Sequence, residues 1–168
     1  MTFEKPKATI VVGLGNPLMA DEGIGVALVD ELAKLAAAGK LPTEDVEYYD
    51  GGCGGMYLLH TIAGRKKAIL VDCCLMGAQP GTLRRFTPDD VNSVKQMAHL
   101  SLHEIDILKV LELAKQIGQC PDEIVIFGIE PVQITQQMHL NDEIRTQIPH
   151  YIDTIKSEIL RNKSPERK

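Results

Sequence analysis

The chain has 168 residues, 18 Lys and Arg against 23 Asp and Glu for a formal net charge of −5, with 44% hydrophobic and 24% charged residues. That describes one ordinary domain, which at this length buries roughly 70% of the surface its unfolded chain exposes and needs no disulfide or metal staple. The acidic balance, the absence of Trp and of any Lys/Arg block, and only three Phe and four Tyr argue against a nucleic-acid surface.

No apolar run reaches the ~18 residues of a membrane span. Residues 1–7 are charged and interrupted by Pro6, unlike a leader peptide. A cytoplasmic protein with no membrane partner is expected. Cys53, Cys73, Cys74 and Cys120 form no C-x-x-C pair and read as reduced thiols without structural zinc.

In chain order, residues 8–13 (ATIVVG) read as a buried strand closed by glycine. From Gly23, Ile24, Leu28, Leu32 and Leu35 recur at helical spacing until Gly39 and Pro42 stop the pattern. Residues 46–49 form a second strand, followed by the four-glycine loop 50–55 and a short helix over 56–63. Residues 67–72 (KAILVD) form a third strand, apolar throughout its interior as expected when both faces are covered.

Residues 81–86 follow too closely for a helical crossover, so they read as its antiparallel neighbour, reached through Gln79, Pro80 and Gly81. Ile107, Leu108, Leu111, Ala114 and Ile117 trace one helix face up to Gly118, residues 123–129 are the last strand, and Ile144, Ile148, Ile152, Ile155 and Ile159 mark a C-terminal helix broken at Pro149. The expected fold is α/β: a three-layer α/β/α sandwich on a twisted, mostly parallel sheet of about five strands, one of them antiparallel. Residues 1–162 make a single domain and residues 163–168 a disordered tail.

In such a fold, sites lie beyond the carboxyl ends of the strands. Gly13, Gly15, Asn16, Asp21 and Glu22 follow the first strand, Asp50, Gly51 and Gly52 the second, and Asp72 ends the third. The segment His99, Leu100, Ser101, Leu102, His103 enters its helix from the same edge. One His and two or three carboxylates could converge there, and three nitrogen or oxygen ligands with open positions suit a divalent metal in a catalytic or substrate-bound arrangement.

Each residue also has a plainer reading. Glu22 favours a helix N-terminus by charge alone, Asp72 could bond loop amides, His103 could cap its helix, and Asn16 could close an Asx-turn. A dinucleotide fingerprint needs a third glycine where Leu18 stands, no phosphate loop is present, and Ser93, Ser101 and Ser157 lack a nucleophile elbow.

Together, Gly13-x-Gly15-Asn16 after a strand, Asp21-Glu22-Gly23-Ile24-Gly25-Val26, Asp50-Gly51-Gly52 with Gly55-Met56, Asp72 after its apolar strand, and Leu100-Ser101-Leu102-His103 resemble the [NiFe]-hydrogenase maturation endopeptidases over nearly the whole chain. The resemblance implies a phosphorylase/hydrolase-like fold. It also implies an aspartic-type endopeptidase that removes the C-terminal extension of the hydrogenase large-subunit precursor after nickel insertion.

By that match Glu22, Asp72 and His103 bind nickel supplied by the substrate, and Asp72, Asp21 or Glu22 serves the chemistry. Asn16, Gly51 and Gly52 contact substrate. Cys53 and the Cys73-Cys74 pair depart from the usual residues of the family, and Cys73 is expected to point away from Asp72 on an extended strand. A monomer is expected. Two alternatives stay open: a peptidyl-tRNA hydrolase, whose first strand also ends in G-L-G-N-P, and a non-catalytic nickel-binding maturation factor.

Overall fold

The computed structural model describes residues 5–90 and 102–161, with the side chains of residues 102–106 excepted. The expected tail and His99 lie outside the described residues. Five strands, β1 (Thr9–Gly13), β2 (Val46–Asp50), β3 (Lys67–Cys73), β4 (Leu83–Phe86) and β5 (Glu123–Ile129), form one sheet in the order β2-β1-β3-β5-β4. All neighbours are parallel except β4 and β5.

Strand alternation divides the core in two. Val11, Ile69, Val71, Val125 and Phe127 face α1 (Ile24–Ala37) and α4 (Asp142–Leu160). Ile10, Val12, Ala68, Leu70, Ile124 and Ile126 face α2 (Tyr57–Ile62) and α3 (Leu102–Gln116). Helices therefore cover both faces, and β3, buried at every position, runs through the middle. Helix α1 ends where Gly39 takes φ +74° and Lys40 N–H donates to Leu35 O at 2.9 Å, the Schellman closure that a glycine at this point permits.

Three expectations are corrected. The segment after β3 is antiparallel, but to β5 rather than to β3. The apolar β5 needs a partner on each side, whereas β4 carries the exposed Arg84 and Arg85 and suits an outer position. Helix α4 runs unbroken through Pro149. The proline faces solvent, where water can satisfy the carbonyl it leaves without a donor, while Ile144 on one side of it and Tyr151, Ile152 and Ile155 on the other bury in the same core. Ile117 is half exposed just past the end of α3, and Val110 takes a core position instead.

Chain direction reverses between β1 and β3: the connection after β1 leads out to β2, and that after β3 leads to β4 on the other side. The carboxyl ends of these two strands thus border the switch-point crevice. The amino edge is fastened differently. Lys67 Nζ lies 2.7 Å from Glu158 Oε1 and 3.2 Å from Glu123 Oε1, and Arg85 Nε lies 2.9 Å from Glu158 Oε2, which ties the end of α4 to three strands.

Candidate functional site

The chain leaving β1 packs backbone against backbone. A Cβ on Gly25 would sit 2.2 Å from the carbonyl oxygens of both Leu14 and Val71, one on Gly13 would sit 2.2 Å from Gly25 O, and one on Gly15 would sit 1.8 Å from Glu22 O. Only hydrogen fits at these points. The glycine spacing of the sequence thus becomes a close seat for the 3-10 turn Ala20–Gly23, which also contacts β3. Glu22, half-buried, stands on that turn at the carboxyl end of β1.

The loop after β2 is zipped to the same place. Gly51 N–H donates to Gly13 O at 2.8 Å, Gly15 N–H to Gly52 O at 2.7 Å, and Gly52 N–H to Asp50 Oδ1 at 2.8 Å. Gly51 has no room for a side chain, since a Cβ would meet Val12 Cγ1 at 2.7 Å. Asn16 Oδ1 accepts from Leu18 N–H at 3.0 Å, closing the Asx-turn that its plainer reading foresaw.

Asp72, 1% exposed, is one residue beyond the partner of Gly13 on β3, and its Oδ1 accepts from Cys73 N–H at 2.8 Å. By alternation with Ala68 and Leu70 it faces the side covered by α3, and Cys73 belongs to the opposite core, as expected. Burial, and then the negative charges of Asp72, Glu22, Asp21 and Glu130, push the Cys73 thiol far above its ordinary pKa.

His103 is the second residue of α3, and its side chain lies outside the described residues. The far end of α3 leads to β5, whose first residue, Glu123, donates its N–H to Lys66 O at the amino edge. A helix of this length spans about 22 Å, so α3 begins at the carboxyl edge, on the face toward which Asp72 turns. Among the described residues no group of three or more His, Cys, Asp and Glu is arranged to hold a metal ion. Glu22 and Asp72 stand at the carboxyl ends of the two strands that border the crevice.

Two carboxylates serve the surrounding loops. Asp21, 0% exposed, accepts four hydrogen bonds from residues 132–141. Glu130, also buried, accepts through Oε2 from Met76 N–H at 2.6 Å and Ala78 N–H at 3.2 Å. Sequence reading passed over Glu130, although it follows β5 as Asp72 ends β3, and the same signal of a carboxylate at a strand end would have found it.

Around these groups stand exposed apolar side chains. Leu18, Met56, Tyr57, Leu75, Val132 and Met138 all lie on connections that follow the carboxyl ends of strands; of the large exposed apolar residues described, only Ile117 and Leu160 lie elsewhere. Beside the Glu22 turn, a groove of about 180 Å³ is lined by Pro17, Ala20, Gly23, Val26, Met138 and Leu140 among others.

The family described as HycI, hydrogenase maturation protease, matches residues 26–158, a stretch that contains Asp72 and His103 and begins just after Glu22. The hydrogenase expression/formation protein HupD of Rhodobacter capsulatus is 36% identical over 130 residues, which cover 77% of this chain and 60% of that protein. HupD of Bradyrhizobium diazoefficiens is 31% identical over 153 residues, covering 90% of this chain and 78% of that one. The chain thus aligns with about three fifths of the Rhodobacter relative's length. Among solved structures, the hydrogenase maturating endopeptidase HybD from E. coli matches with a TM-score of 0.78 at 27% identity, covering 90% of this chain and 91% of that one.

Proposed function

The chain belongs to the hydrogenase maturation protease family, and on that premise we propose that it is an endopeptidase removing the C-terminal extension of a [NiFe]-hydrogenase large-subunit precursor after nickel insertion. What supports this reading is that Glu22, on the turn after β1, and Asp72, on β3, both stand at the carboxyl edge of the sheet, where α3 also begins. Family membership over residues 26–158 takes the place of the tRNA hydrolase alternative.

In this reading nickel arrives as part of the substrate, and Glu22, Asp72 and His103 complete its shell. A precursor without nickel offers nothing for them to hold, so recognition and maturation status become one test. Nickel held there would supply Lewis-acid chemistry to the scissile carbonyl or a water; Asp72 takes the proton of the water that adds to the carbonyl carbon and returns it to the amine released as the C–N bond breaks. The apolar rim supports a protein substrate, since exposed apolar groups gathered at one place mark contact surfaces. The groove beside the Glu22 turn has room for a side chain of the peptide, and Asn16, Gly51 and Gly52, on the hydrogen-bonded loops that follow β1 and β2, are assigned to substrate contact in the same reading.

The protein is further proposed to act as a cytoplasmic monomer. Among the described residues no helix is long and apolar enough to cross a membrane. The test is incubation with nickel-loaded and nickel-free precursor, with products weighed by mass spectrometry. Cleavage of the loaded form alone is expected, and binding without cleavage would make the protein a nickel-binding maturation factor. His103→Ala should abolish cleavage with an unchanged thermal midpoint, whereas His99→Ala should cleave nearly normally. The reverse pattern removes His103 from the metal's shell.

A further inference from the structure

Sequence reading placed Asp21 among the residues serving the chemistry, and its surroundings point elsewhere. Its carboxylate is 0% exposed. Oδ1 accepts from Asn141 N–H at 2.8 Å, and Oδ2 accepts from Val132 N–H at 2.9 Å, Gln133 N–H at 3.2 Å and Asn141 Nδ2 at 2.9 Å. A carboxylate offers about four acceptor sites, and four donors from one loop meet this one, three at Oδ2 and one at Oδ1. A general base must have an oxygen within reach of the proton it takes, and Asp21 has both oxygens turned into the loop between β5 and α4.

That loop is held at both ends by one side chain, at 132–133 where it leaves β5 and at 141 where it enters α4. Its middle lies against the turn that carries Glu22: Met19 and Gln137 form a parallel bridge, Gln137 N–H donates to Leu18 O at 3.0 Å, and Ala20 N–H donates to Gln137 O at 2.7 Å. Ala20 is the point of strain. Among the described residues it is the only one other than glycine with positive φ, at 52°. An alanine enters that region only where its surroundings compel it. Its N–H is bonded to Gln137 O, on the loop that Asp21 staples.

We propose that Asp21 is a positioning residue: through the 132–141 loop it holds Ala20 in the left-handed conformation, and so sets the 3-10 turn that presents Glu22 to the crevice. The proposal rests on the reading that Glu22 acts on substrate. It has one part that stands without that reading, the relay from the Asp21 carboxylate through the 132–141 loop to the N–H of Ala20, its neighbour in the chain.

The test uses the full chain and three variants: Asp21→Asn, Ala20→Gly, and the two combined. Asparagine keeps the size of the side chain but turns an amide NH₂ toward donors. In Asp21→Asn, amide hydrogen exchange at Val132 and Gln133 should rise at least tenfold, and exchange at Ala20, whose N–H is bonded to Gln137 O and not to the Asp21 carboxylate, should rise with it. Cleavage of nickel-loaded precursor should fall about 10- to 100-fold, with the pH profile of the remaining activity unchanged. Adding Ala20→Gly should restore most of that activity, because glycine adopts positive φ without being held there.

Three results overturn the proposal: unchanged exchange at Ala20 in Asp21→Asn, no recovery in the double variant, or loss of the acidic limb of the pH profile, which would return Asp21 to the chemistry. If the unaltered protein cleaves no precursor, the endopeptidase reading fails, and the exchange measurements still decide the relay.

Discussion

At the amino edge of the sheet, Glu158 lies between Lys67 and Arg85 and every oxygen it offers meets a cation. At the carboxyl edge, Asp21 and Glu130 are as deeply buried, yet among the described residues their hydrogen bonds come from backbone amides and the Asn141 carboxamide, not from cations. Both solutions satisfy the hydrogen-bonding needs of a buried carboxylate. They differ in charge. A salt bridge cancels it and spends it on attachment, here of α4 to the sheet. Neutral amides fasten a loop and leave the negative charge in place, so the carboxyl edge keeps a negative field. One edge is built to hold and the other to attract.

The largest expected effect lies at the attracting edge. Asp72→Asn keeps the shape of the side chain and removes its charge and basicity, so cleavage of nickel-loaded precursor should fall by about 10²- to 10⁴-fold, with a thermal midpoint within a few degrees of the unaltered protein. Retained cleavage beside a large fall in melting temperature would make Asp72 another loop fastener and dissolve the contrast between the edges.

The holding edge should respond in the opposite sense. Glu158→Ala leaves Lys67 buried with a weakened partner set and should cost about 3–5 kcal/mol in urea unfolding, while cleavage per folded molecule stays the same. The same residue predicts a pH dependence. Burial alone would raise the Glu158 pKa, but the hydrogen bonds and charges of Arg85 and Lys67 outweigh it and leave the carboxyl below its ordinary value of 4.5. The stability from this group is therefore complete above about pH 4.5 and is lost as pH falls through the lowered folded value. Melting temperatures from pH 7 to pH 3 should drop more steeply for the unaltered protein than for Glu158→Gln. Parallel curves would remove the ion cluster as the source of acid sensitivity.

The smallest effect concerns thiols. Cys53 is exposed, while Cys73 is buried and held protonated by burial and its carboxylate neighbours. Iodoacetamide on the native protein should label Cys53, leave Cys73 untouched, and change cleavage little. Inactivation by a single label at Cys53 would give the carboxyl edge a reactive group that the present reading omits.

Element types and most of their ends were legible in the chain because they depend on local pattern: the β-branched run of β1, the continuous apolar interior of β3, the 3.6-residue period of α1. The glycines at 13, 15, 23 and 25 and the carboxylates at 22 and 72 could also be placed at one edge, since a βα unit puts its turn there whatever the rest of the sheet does. The position of β4 could not, because sheet order depends on which strand most needs cover, and β5 outbids the nearer β3 for that contact. Nor could the passage of α4 through Pro149, where burial on both sides outweighs a local penalty.

Asp21 shows the limit most plainly. Next to Glu22 in sequence, it reads as a second catalytic carboxylate, and its donors stand 111 to 120 residues away. Spacing along the chain records which residues share a turn. That the Asp21 carboxylate turns to a distant loop is settled only when that loop folds against it, because hydrogen-bond capacity is spent on whatever donors the tertiary structure brings.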